Sequence, residues 1–140
     1  MSRVEIVKLK VHADARGAVF EPLEPELLAG WQNVHAVISE PGAVRGNHAH
    51  RRGTEISAVV GPTLVRYRES AAAAGATGGA ASDGAVREVL VPAGEVWRFR
   101  FPPGVAHAFK NTGPGPVLLV SFNTMRHDPA APDVERVELI

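Results

Sequence analysis

Cysteine is absent from this sequence, which excludes disulfides and thiolate metal sites. A charge imbalance is absent too, because fifteen Lys and Arg offset fifteen Asp and Glu. Without a basic surplus there is no electrostatic footprint for nucleic acid or for an anionic membrane surface. No apolar run approaches the ~20 residues a membrane-spanning helix needs. The first residues, Met1-Ser-Arg-Val-Glu5, lack the apolar stretch of a signal peptide. Together these absences are those expected of a cytoplasmic protein. Tyrosine occurs once, at Tyr67, so any chemistry that needs a phenolic acid has a single candidate.

Glycine (14) and proline (11) are plentiful and cut the chain into short pieces. That rhythm is expected of an all-β sandwich or barrel. With 140 residues, 45% of them hydrophobic, one domain over 1–140 with a real core is expected. Val4 to Val11, Trp31 to Ser39, Thr63 to Glu69, Val86 to Val91, Glu95 to Phe101 and Val117 to Asn123 read as strands. Within Glu95 to Phe101, alternation puts Trp97, Phe99 and Phe101 on one face, the expected core. Arg98 and Arg100 fall on the other, either a solvated face or a phosphate-binding one. Between Glu21 and Leu28 there is room for one or two helical turns, kept short by Pro22 and Pro25. The Ala, Gly, Ser and Thr of 70–84 have no apolar period and predict a mobile surface loop. The tail over 126–140 is polar, and Val134 to Leu139 in it is a candidate edge strand.

Histidine carries the chemistry. His48 and His50 are two residues apart, so on a strand both imidazoles point the same way. Glu55 follows closely, and His107 stands on a later strand. Three imidazoles and one carboxylate suit a divalent first-row transition metal with positions left open for a substrate. Zn, Fe, Mn and Ni are all compatible with these donors. His12, His35 and His127 read as ordinary surface or satisfied histidines. His35 is the strongest exception, since it shares a strand with Trp31 and Asn33 and can face a barrel interior.

Two blocks surround these ligands: Gly42-Ala-Val-Arg45-Gly46-Asn47-His48-Ala-His50-Arg-Arg-Gly-Thr-Glu55, running on to Gly61, and Pro102-Pro-Gly104-Val-Ala-His107-Ala-Phe-Lys-Asn111. They resemble the two signature motifs of the cupin superfamily over about Val4 to Thr124. The spacing departs only in turns: five residues separate Glu55 from Gly61, and seven separate Gly94 from Pro102. The resemblance implies a small cupin barrel, a jelly-roll-like antiparallel β-sandwich, with the metal held by His48, His50, Glu55 and His107.

Upstream, Asp14-Ala-Arg16-Gly17-Ala-Val-Phe-Glu21 and Arg45-Gly46-Asn47-His48 resemble fingerprints of the dTDP-4-dehydrorhamnose 3,5-epimerases. The second is also similar to sugar-nucleotide 3,4-ketoisomerases and to cupin domains of capsular-polysaccharide enzymes. This implies an isomerase or epimerase acting on a nucleotide-linked 4-keto-deoxysugar. His48 takes the position of the family's catalytic base. Arg16, Glu21 and Arg45 take positions that contact the nucleotide and its diphosphate, often across a homodimer interface. The departures are informative. The epimerases usually carry a non-ligand at the position of His50, a lysine after the first motif, and a tyrosine acid. A metal-containing relative acting at one carbon, or a ketoisomerase-like protein, matches better. A metal-bound nitrogen cannot also take a proton, so with metal on His48 the next candidate base is His35 or a metal-held hydroxide. Two rival readings stay open: a metal-dependent dioxygenase of a small molecule, and a non-catalytic sugar-binding or regulatory cupin.

Overall fold

The computed structural model describes residues 2–70 and 84–140. Apart from its two end residues, the loop expected over 70–84 lies outside the described residues. Along the chain run β1 (Glu5–Lys8), β2 (Val11–Asp14), β3 (Gly17–Phe20), β4 (Asn33–Ser39), β5 (Val44–His50) and β6 (Glu55–Val60). They are followed by β7 (Thr63–Glu69), β8 (Val86–Val91), β9 (Val96–Phe101), β10 (Val105–Asn111), β11 (Val117–Asn123) and β12 (Val134–Arg136). The helical turn expected between Glu21 and Leu28 is a single 3-10 turn, Pro25–Leu27. Pro25 suits its first position because that N–H has no helical partner to lose.

Two five-stranded antiparallel sheets form a sandwich, in the orders β1-β9-β6-β11-β4 and β12-β5-β10-β7-β8. One core binds them. Val59, Phe99, Phe101 and Leu119 come from the first sheet and Val65, Tyr67, Val91, Val105 and Phe109 from the second. Phe99 and Phe101 are buried as their alternation requires, each worth roughly 1.5–3 kcal/mol of apolar burial. Arg98 and Arg100 therefore face outward, where they pair with Glu24 and with Glu5 (2.8 Å for the latter).

The strand expected over Val4 to Val11 divides at Leu9. Lys8 still pairs with Trp97, but β2 turns away to pair with β3. Leu9, Val11 and Phe20 can then cover Ala58 and Val96, a separate apolar cluster. A third cluster of Ala49, Ala106, Ala108 and Leu139 seats the tail on β5 and β10. Of the expected edge strand in this tail, Val134–Arg136 pairs, on β5. None of the described residues forms a helix long and apolar enough to cross a membrane.

Candidate metal centre

The aromatic core fills one part of the sandwich, and polar side chains take over where β5, β6, β10 and β11 meet. The pairing register brings the candidate ligands together. His107 lies opposite His48 across β10 and β5. Beyond it the register slips, so that Ala108 faces Gly46 and Asn47 is left as an extra residue. This β-bulge has φ of 82° at Gly46 and 56° at Asn47. Only glycine suits the first position, since a Cβ there would lie 2.8 Å from the His107 carbonyl oxygen. The bulge puts Arg45 and His48, three residues apart, in register with the inward-facing Phe109 and His107. Asn47 secures the tail: its Oδ1 accepts from the Leu139 and Ile140 amides at 2.8 and 3.2 Å.

One donor atom from each of His48, His50, Glu55 and His107 lies within 4.8 Å of every other. Glu55 Oε2 is the hub, 2.7 Å from His50 Nε2, 3.4 Å from His107 Nε2 and 3.9 Å from His48 Nε2. His107 is fully buried. Its Nδ1 lies 3.0 Å from the Val105 carbonyl, which can only accept, so the ring proton sits on Nδ1. Nε2 is thereby left with a free lone pair aimed into the cluster. Among the described residues it is the one buried side-chain polar atom without a hydrogen bond. A buried nitrogen in that state asks for an electrophile. Four converging donors, one of them orphaned, fit a transition metal ion of the kind the sequence implies.

The electrostatics agree with this donor set. Burial pushes the His48 imidazolium below its ordinary range, so its neutral, ligating form prevails at pH 7. Burial acts to raise the Glu55 carboxyl, but its imidazole neighbours hold it well below the usual carboxylate range. The other Glu55 oxygen accepts from Ser57 Oγ at 2.6 Å.

A cleft of about 170 Å³ opens onto His48 and His50. His35 and Asn33 of β4 line it with Asn123, Arg126, His127, Asp128 and Asp133. His35 thus lies where the sequence allowed. His127 is exposed, as the sequence implies, and also lines this cleft, because the segment after β11 contributes to its wall. No local pattern marks His127 for that place. The other candidates are not brought here within one chain. Arg16 sits at the β2–β3 turn, paired with Asp14 at 2.5 Å and 91% exposed. Glu21 lines a separate hollow beside Lys10 and His12. Arg45 is exposed, on the inward face of β5 but outside the cleft lining. A larger hollow of about 320 Å³ lies outside the first sheet by Trp31, Arg98 and Arg100. It contains no imidazole, and its arginines are already paired.

No protein-family model matches the chain, and no curated protein matches it in sequence. Solved structures do. The capsular polysaccharide assembling protein CapF of Staphylococcus aureus is 24% identical over 94% of this chain, with a TM-score of 0.63. This chain spans only 34% of CapF. A dTDP sugar isomerase of Desulfovibrio desulfuricans has a TM-score of 0.75 at 18% identity, over 97% of this chain and 84% of its own. ChmJ, a 3'-monoepimerase of Streptomyces bikiniensis solved with dTDP-quinovose, has a TM-score of 0.72 at 18% identity, over 96% of this chain and 69% of its own. The chain has the cupin fold of these sugar epimerases and isomerases.

Proposed function

We propose that this protein is a metal-binding cupin that isomerises or epimerises a nucleotide-linked 4-keto-deoxysugar. The observation that carries the reading is one cleft lined both by His48 and His50 of the four-donor cluster and by a separate imidazole, His35. The named activities of the structural relatives, a dTDP sugar isomerase and a 3'-monoepimerase, support it.

Both reactions begin by removing a proton from a carbon beside a ketone. His48, His50, Glu55 and His107 would hold the metal, which when bound supplies a Lewis acid for the developing enolate oxygen. His35 is not one of the four donors, so its lone pair is free to take the proton. Reprotonation comes from His35 itself, or from a proton carried by the imidazole of His127 in the same cleft, which leaves the abstracted proton on His35. Clefts that enclose a whole drug-sized ligand run from ~300 Å³ upward. At about 170 Å³ this one takes a single sugar ring, leaving the diphosphate and nucleotide outside.

Arg16 and Glu21 lie away from the cleft of their own chain. A nucleotide-binding role for them therefore requires a second copy, and a homodimer is part of the proposal. Sedimentation of the purified protein tests that part directly.

For the activity, metal-loaded protein is incubated with a dTDP-linked 4-keto-6-deoxyhexose in deuterium oxide and followed by proton NMR. Deuterium entering a ring carbon beside the ketone is the expected result. Binding of the sugar nucleotide without exchange would leave a sugar-binding cupin instead. Oxygen uptake by iron-loaded protein with a small organic substrate would favour the dioxygenase.

A further inference from the structure

Beneath the candidate ligands, β6 and β11 carry two serines that neither the fold nor the proposed reaction accounts for. Ser57 and Ser121 face each other directly in the antiparallel register. Both are buried, at 0% and 1% exposure. Their hydroxyls lie 2.7 Å apart, and Ser57 Oγ lies 2.6 Å from Glu55 Oε1. The direction of the chain follows from chemistry. An ionised carboxylate can only accept, so Ser57 donates to Glu55. With its one proton committed, Ser57 must accept from Ser121. The order is Ser121 to Ser57 to Glu55, and it ends on the oxygen that points away from the imidazoles.

We infer that Ser57 and Ser121 are positioning residues that hold Glu55 to a single-oxygen contact with the metal. The inference rests on the metal-site reading given above. Glu55 Oε2 faces His50, His107 and His48, while Oε1 is engaged by Ser57. A carboxylate held in this way cannot swing to offer both oxygens. The four residues would then offer three nitrogens and one oxygen to a metal. Hydroxyls suit this task better than apolar side chains, because Phe99 flanks Ser57 on its other side and offers no alternative donor. Ser121 pairs in register with His35 on β4, so the proposed base lies one strand beyond the end of the hydroxyl chain.

The test compares wild type, Ser57→Ala and Ser121→Ala by chelator competition for zinc and by the visible spectrum of the cobalt-substituted protein. Ser57→Ala is expected to weaken zinc binding by ~10–100-fold, the usual loss when a group supporting a metal ligand is removed. Its cobalt bands should change intensity as the freed carboxylate turns to offer a second oxygen. Ser121→Ala keeps the Ser57 donor and should fall between wild type and Ser57→Ala on both readouts. If Ser57→Ala does not fold, Ser121→Ala carries the test by itself. Wild-type zinc binding with unchanged affinity and spectrum in the folded variants would overturn the inference and leave the metal site standing. Absence of metal binding by wild type would remove the site and this inference together.

Discussion

The imidazole of His107 lies flat on the ring of Phe101, with centroids 4.2 Å apart and planes 9° from parallel. Val105 fixes the same imidazole from its Nδ1 side. The orphan Nε2 is therefore held by packing as well as by a hydrogen bond. Phe101→Ala should cost about 3–5 kcal/mol, the usual range for emptying a buried aromatic site. It should also weaken metal binding, because the ring loses its platform. Urea denaturation of metal-free protein measures the first effect and chelator competition the second. Wild type in metal at a hundredfold excess over Kd should gain about 2.7 kcal/mol, a gain that chelator reverses.

Acid should destabilise the metal-free protein in two stages. His48 is held below its ordinary pKa by burial, while in the unfolded chain it titrates near the usual value of about 6.5. As pH falls past that value the unfolded state binds the proton first, so stability declines. Glu55 is held well below its ordinary value of about 4.3 by its imidazole neighbours, despite the opposing effect of burial. Its contribution is present above that pH and is lost as pH falls toward its folded pKa. Both groups act in the same direction. Thermal melts across pH should show a decline beginning near pH ~6.5 and a steeper one below pH ~4.3. His48→Gln should flatten the first stage and leave the second.

The ligand set was legible because each of its two blocks is local. His48 and His50 are two apart on one strand with Glu55 close behind, and His107 stands in a second motif, while the β5–β10 register that joins the blocks is not written in either. Alternation likewise assigned Phe99 and Phe101 to the core. What alternation misjudges is the bulge. Strict period-two counting puts Arg45 and His48 on opposite faces, and Asn47 restores them to one. Ser57 shares the Glu55 face by simple parity. Its link to Ser121 depends on a register between strands 64 residues apart in sequence, which no local pattern contains. The β2–β3 hairpin was hidden for a related reason, since Val4 to Val11 alternates well enough to read as one strand and the break at Leu9 is set by the Ala58 and Val96 surface it covers.

The bulge makes separable predictions at its two residues. Gly46→Ala meets both an unfavourable φ and the His107 carbonyl, and neither can yield without moving β5 or β10. It should cost ~1–3 kcal/mol and weaken metal binding together with stability. Asn47→Gly tolerates the positive φ but loses the bonds to Leu139 and Ile140. It should cost ~1–3 kcal/mol through the two amides left without a partner, with metal affinity close to wild type. Thermal melts with and without zinc separate the two cases, and limited proteolysis should cut the Asn47→Gly tail first.

His48 and His35 are both imidazoles at one cleft, yet the geometry gives them different work. His48 belongs to the four-donor cluster and His35 does not. Replacing each by asparagine should therefore separate binding from catalysis. His48→Asn should lower both metal content and deuterium exchange, because a ligand is lost. His35→Asn should keep its metal and its affinity for the sugar nucleotide while exchange falls ~100-fold or more, the usual contribution of a positioned base. If His35→Asn exchanges at the wild-type rate, the base is another residue of the cleft, and His127 is the next to replace. If His48→Asn retains full metal and loses exchange, His48 is the base itself, and the metal sits on the remaining three donors.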